Sequence, residues 1–388
     1  MNKFTKAIAA IMLVVAAIIV AGCNKPDEPN NGGNDGGGNG GGGGASKYYQ
    51  VNVSASVGGS VVGGGSFLEG TTCTVTATPE TDYTFAEWTE GGNFVSSLQN
   101  YSFAVMGDRS LEANFTYSGG GGNAPTGAIN GLFTINARGD QVYFSQGNLR
   151  YQASTNTWQF AGQQYYYLGN VNSNISQTNG GWIDLFGWGT SGYNHGAECY
   201  QPWSTSEDEL DYYAYGNVDY NLYDLSGQAD WGYNAISNGG NIQGQWRTLT
   251  RLEWSYVFNT RSTKSGIRYV KAQVNNVDGV ILLPDDWSSS YYSLNSGYNY
   301  SSNKITSSTW TNSLEAHGAV FLPAAGYRIG TTLMGLSTYY MDGYGYYWTA
   351  TCYDAGNAYS IVFGSNLGPI DHDKRCYGLA VRLVCPAE

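Results

Sequence analysis

The sequence predicts an α+β protein in which a small all-β module precedes a larger head of strands, irregular loops and a short helix. Three observations carry this. Apolar and polar residues alternate in four separate runs between Tyr48 and Tyr117, the period of half-buried strands. Only the segment opening at Thr250 has the cap and apolar spacing of a helix. The 388 residues include 55 glycines, 33 tyrosines and 11 tryptophans against 18 basic and 30 acidic side chains, an aromatic and turn-rich composition. The net charge of −12 argues against a nucleic-acid partner, which needs a basic surface.

At the N-terminus, Lys3 and Lys6 precede an apolar run from Ala7 to Val20, the pattern of a secretory signal. The run is shorter than the ~20 apolar residues of a comfortable membrane span. It ends in Val20-Ala21-Gly22-Cys23, which resembles the lipobox of bacterial lipoproteins. The resemblance implies a signal peptide over 1–22 and a lipidated Cys23, and several acyl chains hold a protein on a membrane firmly. Asp27 and Glu28 follow, similar to the surface-export signal of Bacteroidetes lipoproteins. The expected place is therefore the cell outer membrane, lipid-anchored and facing outward, with a periplasm-facing lipoprotein as the alternative. Residues 23–47 are expected to be the lipidated cysteine and a Gly/Asn-rich tether, in which Asn30 to Gly44 has no apolar residue to bury. Glu28-Pro29-Asn30, a lectin-like triplet, lies in that tether and is read as coincidence.

The module is expected over 48–117. Val51, Val53 and Ala55 alternate with polar residues, as do Cys73, Val75 and Ala77, then Tyr101, Phe103 and Val105, then Leu111, Ala113 and Phe115. Glycine pairs punctuate these runs at turn positions. Glu69-Gly70-Thr71, Ala77-Thr78-Pro79 and Tyr83-Thr84-Phe85-Ala86-Glu87-Trp88 resemble the divergent internalin-type B-repeat of bacterial surface proteins. That resemblance implies a stalk or adhesive spacer without catalysis. Cys73 shares the parity of Val75 and reads as a small core residue. A glycine-rich linker is expected over 118–127, and whether the module touches the head is left open.

The head is expected over 128–388. Val142-Tyr143-Phe144-Ser145 opens a strand, and Trp182 to Gly189 and Asp230-Trp231-Gly232 read as packed aromatic loops. Thr250 caps a helix with Glu253 three residues on, and Leu252, Tyr256 and Val257 are expected to line one side. Near the C-terminus Ile361 and Phe363 are expected inward against outward Ser360 and Val362, with Val381 and Leu383 repeating the pattern. Tyr165 to Tyr167 read as packing residues.

Trp246-Arg247-Thr248-Leu249-Thr250, with Glu253 and Trp254, then Phe321-Leu322-Pro323-Ala324-Ala325-Gly326, Tyr346-Tyr347-Trp348-Thr349-Ala350-Thr351 and Gly378-Leu379-Ala380-Val381-Arg382 resemble the Fibrobacter succinogenes major paralogous domain. The resemblance implies a C-type-lectin-like fold related to the formylglycine-generating enzymes. In the branch that comprises targets of diversity-generating retroelements, hypervariable residues lie between strings like Tyr347-Trp348-Thr349-Ala350-Thr351 and Arg375 to Arg382. Between them here the expected outward or loop positions are Tyr353, Asp354, Asn357, Ser360, Val362, Gly364, Asp371, His372, Asp373 and Tyr377. Diversification, a fixed binding face and plain surface decoration remain open on this pattern. A binding face also follows from the residue types. Tyrosine supplies amphipathic area with two torsions to freeze, and Ser, Asn, Gly and Asp supply adaptable hydrogen bonds.

The function expected is a surface-exposed binding protein whose partner is a protein or glycan of host, microbe or phage. No cofactor, catalytic residue or metal is expected. The histidines, His195, His317 and His372, stand in unrelated settings, and no hydrolase, zincin or phosphate-loop motif occurs. Asp371-His372-Asp373 with Cys376 looks like a ligand cluster, but strand parity turns the aspartates away from His372. Asp208, Glu209 and Asp211 lack the glycine turn of a calcium loop. One alternative is a structural or fimbrial envelope subunit. The other is an oxidoreductase like the formylglycine-generating enzymes, requiring a redox-active Cys376 or Cys385. Export permits a disulfide from Cys352 to Cys376 or Cys385, between which spacing does not choose, and Cys199 is expected to be buried.

Overall fold

Eight strands arise from the alternating runs near the N-terminus: β1 (Tyr48–Ala55), β2 (Gly59–Val62), β3 (Gly65–Leu68), β4 (Thr72–Pro79), β5 (Tyr83–Glu90), β6 (Asn93–Ser96), β7 (Asn100–Ala104) and β8 (Arg109–Tyr117). They form one sheet in the order β3-β1-β8-β5-β6 and another in the order β2-β4-β7. The inward residues of the sequence pattern make the core between them: Val51, Cys73, Val75, Ala77, Trp88, Val105, Leu111, Ala113 and Phe115 are buried together. The computed structural model describes residues 46–387 except 57, 81–82, 118–123, 194–199, 214–216, 336–342 and 365–366. The expected leader, Cys23, the expected tether up to Ala45, most of the expected linker, His195 and Cys199 therefore lie outside the described residues.

The head is also built of small sheets. Its strands are β9 (Phe133–Thr134), β10 (Gln141–Phe144), β11 (Leu149–Gln152), β12 (Thr157–Phe160), β13 (Trp182–Ile183) and β14 (Arg247–Thr248). Helix α1 (Arg251–Asn259) follows, then β15 (Tyr269–Val274), β16 (Val277–Leu282), β17 (Lys304–Ile305), β18 (Val320–Pro323), β19 (Tyr327–Ile329), β20 (Thr332–Met334), β21 (Gly345–Cys352), β22 (Asn357–Phe363), β23 (Leu367–Lys374) and β24 (Leu383–Pro386). The last strand lies between β14 and β10, pairing Val384 with Phe144, so the end of the chain closes on the start of the head. The molecule is predominantly β.

Helix α1 begins as its sequence dictates: Thr250 accepts from the Glu253 N–H while the Glu253 carboxylate accepts from the Thr250 N–H. Its buried side differs from the expected one. Trp254, Val257 and Phe258 face the core, whereas Leu252 is 72% exposed. The i, i+3, i+4 spacing from Trp254 is a complete apolar stripe by itself.

Four arginines are buried without exposure to water: Arg261, Arg328, Arg375 and Arg382. Most of their N–H groups go to main-chain carbonyls of loops. Arg328 donates to the carbonyls of Leu185, Ser204 and Gly330, and Arg375 to those of Tyr213 and Asp354. Arg382 donates to Phe321 O and Gln164 Oε1. Burial lowers the pKa of Arg328 and Arg382 to about 10, so both remain charged at neutral pH. The planar guanidinium satisfies several buried carbonyls at once, which is how long irregular loops are held without regular secondary structure.

From Ser46 to the C-terminus the chain packs as one unit. Arg150 of β11 meets Glu87 of β5 at 2.5 Å. Tyr166 donates to Asn114 Oδ1 and Gln163 to Phe115 O, both at 2.9 Å. The rings of Phe94 and Trp182 meet edge to face with centroids 5.3 Å apart. A cavity of about 330 Å³ in this seam is lined by residues such as Phe85, Pro125, Gln146 and Asn238 and has no ionisable side chain. Of the expected packing tyrosines, Tyr165 is buried in the head and Tyr166 is half-buried at the seam.

Candidate functional site

Strands β21, β22 and β23 form an antiparallel sheet with β22 in the centre. Trp348 pairs with Ser360 and Ser360 with Asp371, while Tyr346 pairs with Val362 and Ala358 with Asp373. Tyr359 pairs with His372. Directly paired residues project to the same side, so the register assigns these paired side chains to one of two faces. Strand β23 carries one extra residue between Gly368 and Asp371, a bulge opposite Ile361.

The ten expected site residues do not form one outward face. Tyr353 and His372 lie on one side, where their rings stack 4.0 Å apart and 16° from parallel. Tyr359, which the sequence reading missed, meets Tyr353 edge to face at 5.1 Å and lies beneath the Arg251 guanidinium at 4.5 Å. Tyr353 is 45% exposed, and His372 is also exposed. Ser360, Val362, Asp371 and Asp373 project from the opposite side, with Tyr377 from the turn beyond β23 close by.

Asp354 and Asn357 shape the hairpin between β21 and β22. Asp354 Oδ1 accepts from the N–H groups of Gly356 and Asn357, and the Asn357 side-chain amide donates to both Asp354 oxygens. Burial pushes the Asp354 carboxyl up, but these hydrogen bonds outweigh it and its pKa falls below the ordinary value. Both residues are half-buried, and the geometry explains them as turn formers.

Two outward expectations are corrected. Ser360 is fully buried: it does oppose Ile361 by parity, but both sides of this part of the sheet are covered. Ile361 and Phe363 enter one core with Val257 and Phe258 of α1. Ser360 sits beside Trp348, which with Ala350 and Ala358 belongs to a second core. Gly364 is also buried, and a Cβ there would lie 2.3 Å from the Tyr344 ring. Its carbonyl accepts a hydrogen bond from the Lys271 ammonium.

The face that carries Asp371 and Asp373 is completed by tyrosines from elsewhere. Tyr327 of β19 lies 4.8 Å from the Tyr346 ring and 5.4 Å from the Tyr377 ring. Bridges from Gly326 to Gly345 and from Arg328 to Gly378 hold β19 there. No local signal marks Tyr327, because its partners are contributed by two later segments. Asp373 accepts from Ser360 Oγ at 2.6 Å. Burial raises its pKa, the Ser360 hydrogen bond and His372 pull it down, and Asp371 pushes it up, with a net rise.

The thiols stand apart. Cys352, Cys376 and Cys385 are unpaired, so neither disulfide left open by spacing is formed. Burial pushes Cys376 up to about 11 and Cys385 to about 12. Cys352 is half-buried, its sulfur 2.9 Å from an Arg375 nitrogen. Among the described residues no three His, Cys, Asp or Glu side chains are grouped to hold a metal ion. Asp208 caps the Leu210 N–H, Asp211 accepts from Ser206, and Glu209 pairs with Lys374 at 3.4 Å.

Residues 49–119 match the family model of the divergent InlB B-repeat domain; this stretch of the chain is a B-repeat. No curated protein and no solved structure matches the chain.

Proposed function

We propose that the chain is a surface-exposed, lipid-anchored binding protein in which the B-repeat carries a C-type-lectin-like head. The ligand, a protein or glycan of host, microbe or phage, docks on the last strands of that head. The observation that supports this best is the Tyr353–His372 stack, a pair of parallel rings open to solvent on a sheet whose other side packs into the core around Trp348 and Ala358. Stacked rings offer area at low entropic cost, and the buried arginines hold the surrounding loops in one arrangement. The lipobox and the acidic pair after Cys23 supply the location. The C-type-lectin-like class and retroelement diversification rest on the motifs between Trp246 and Arg382.

The test is to screen the full chain, in detergent, against arrays of host and microbial proteins and glycans, beside the Tyr353→Ala/His372→Ala double variant. Capture of a ligand by the parent and its loss in the folded double variant is expected. Ligands retained equally by both would remove this face from the binding surface. Protease shaving of intact cells and a Cys23→Ser variant that no longer partitions with membranes check the location.

A further inference from the structure

We propose that Tyr327, Tyr346 and Tyr377, together with Asp371 and Asp373, form a second recognition site that takes the guanidinium of an arginine side chain on the partner. It lies on the opposite side of the β21–β23 sheet from Tyr353 and His372, and it rests on the proposed binding role only for the identity of the occupant as a partner molecule.

The three rings form a half-buried aromatic group, Tyr327 standing at 60° to Tyr346 and 30° to Tyr377. The register places Tyr346, Val362, Ser360, Asp371 and Asp373 on this one side. The negative faces of aromatic rings attract cations, and more so where water is partly excluded. A carboxylate beside them adds a charge-assisted acceptor.

Asp373 is short of a partner. One oxygen accepts from Ser360 Oγ, and among the described residues no cationic side chain forms an ion pair with the carboxylate. The cations next to Tyr327 and Asp373 along the chain have partners of their own. Arg328 gives its N–H groups to three carbonyls in the interior, and Lys374 pairs with Glu209. His372 stacks on Tyr353 on the other side, with Asp371 Oδ1 3.6 Å from its Nδ1. The Asp373 carboxylate acts on the Tyr346 and Tyr327 hydroxyls, which burial and this charge both push upward. A half-buried carboxylate on the same side of the sheet as these rings, close enough to act on their hydroxyls and without an ion pair among the described residues, is arranged to receive a positive charge from outside.

The chemistry selects among cations. A guanidinium is planar, weakly hydrated, stacks on rings and bonds carboxylates through several N–H groups. A quaternary ammonium has no N–H to give Asp371 or Asp373. The net charge of −12 disfavours anionic ligands and steers cationic ones.

The experiment uses the full chain with tyrosine-selective isotope labelling and N-acetyl-arginine amide as the probe, followed by NMR. N-acetyl-citrulline amide, its neutral counterpart, and tetramethylammonium are the comparators. Saturable shifts of the Tyr327, Tyr346 and Tyr377 ring signals are expected with the arginine probe, and none of comparable size with either comparator. Asp373→Asn, nearly isosteric and still able to accept from Ser360, should weaken binding by about tenfold or more, and Asp371→Asn, at an exposed position, should weaken it less. Equal binding of citrulline amide, equal binding of tetramethylammonium, or an unchanged affinity in both folded Asn variants overturns the proposal. A ligand from the arrays that is lost with Tyr353 and His372, without any arginine response, sinks this inference and leaves the proposed function standing. An arginine response without any captured ligand does the reverse.

Discussion

Glu87 of the B-repeat and Arg150 of the head form an ion pair of 2.5 Å in which the side chains are only 1% and 4% exposed. Sixty-three positions separate them in sequence. Among the described residues Glu87 Oε1 and Arg150 Nε have no hydrogen-bond partner, so the pair compensates its own charges without satisfying every polar atom. The guanidinium also lies over the Phe94 and Trp182 rings, 5.7 and 5.2 Å from their centroids. The B-repeat is thereby joined to the head by a charged, aromatic seam.

Removing one member of this pair leaves the other buried and uncompensated, which costs roughly 3–5 kcal/mol. Glu87→Gln and Arg150→Met should each lower stability by an amount of that order in urea denaturation. The double variant should lose less than the sum, because it strands no charge. Additive losses would show that the two groups are energetically independent.

Exposure separates the expected site residues into two mutational classes. Tyr353→Ala, on the open side, should change stability by less than about 1 kcal/mol. Ser360→Tyr should cost about 1–3 kcal/mol or more by overpacking, because Ser360 is fully buried beside Trp348. Thermal melts distinguish them. If a retroelement diversifies the gene, deep sequencing of codons 348–384 in one population should find variation at Tyr353, Asp371 and His372, with Ser360 and Gly364 constant. Variation at Ser360 equal to that at Tyr353 would contradict the packing argument.

Asp373 gives a pH signature. Its folded pKa is raised above the ordinary 3.8, first by burial. Between the two values the folded protein holds more protons than the unfolded chain, so the contribution of this group to stability falls as pH rises through that window. Asp373→Asn should therefore stabilise the protein at pH 7, and the gain should shrink as pH drops toward 3.8. Melting curves across pH measure this; a gain that is constant with pH would mean that the carboxyl is not strained by its burial.

Thiol reactivity tests the oxidoreductase alternative. With Cys376 near 11 and Cys385 near 12, the thiolate fraction of either at pH 8 is well below that of a free cysteine, and it is the thiolate that reacts. Iodoacetamide should leave both unmodified in the native protein and alkylate both in urea, as read by peptide mass spectrometry. Rapid native alkylation of Cys376 would indicate an activated thiol.

The sequence by itself determined the features that depend on neighbours along the chain. Period-two alternation marked the inward residues of the B-repeat, from Val51 to Phe115, because a strand turns successive side chains to opposite sides. Thr250 and Glu253 marked the start of α1, because a capping box closes within three residues. The same parity correctly set Ser360 against Ile361. Tertiary structure alone decided whether a side was open or covered: Ser360 is buried on the side where Trp348 and Ala358 enter a core with segments far away in sequence, and no local pattern encodes a covering supplied by such segments. For that reason the residues expected on one face divide between two sides of the sheet. Tyr327 joined Tyr346 and Tyr377, and Arg150 reached Glu87, through register and packing that bring distant segments together, a relation that periodicity along one strand does not contain.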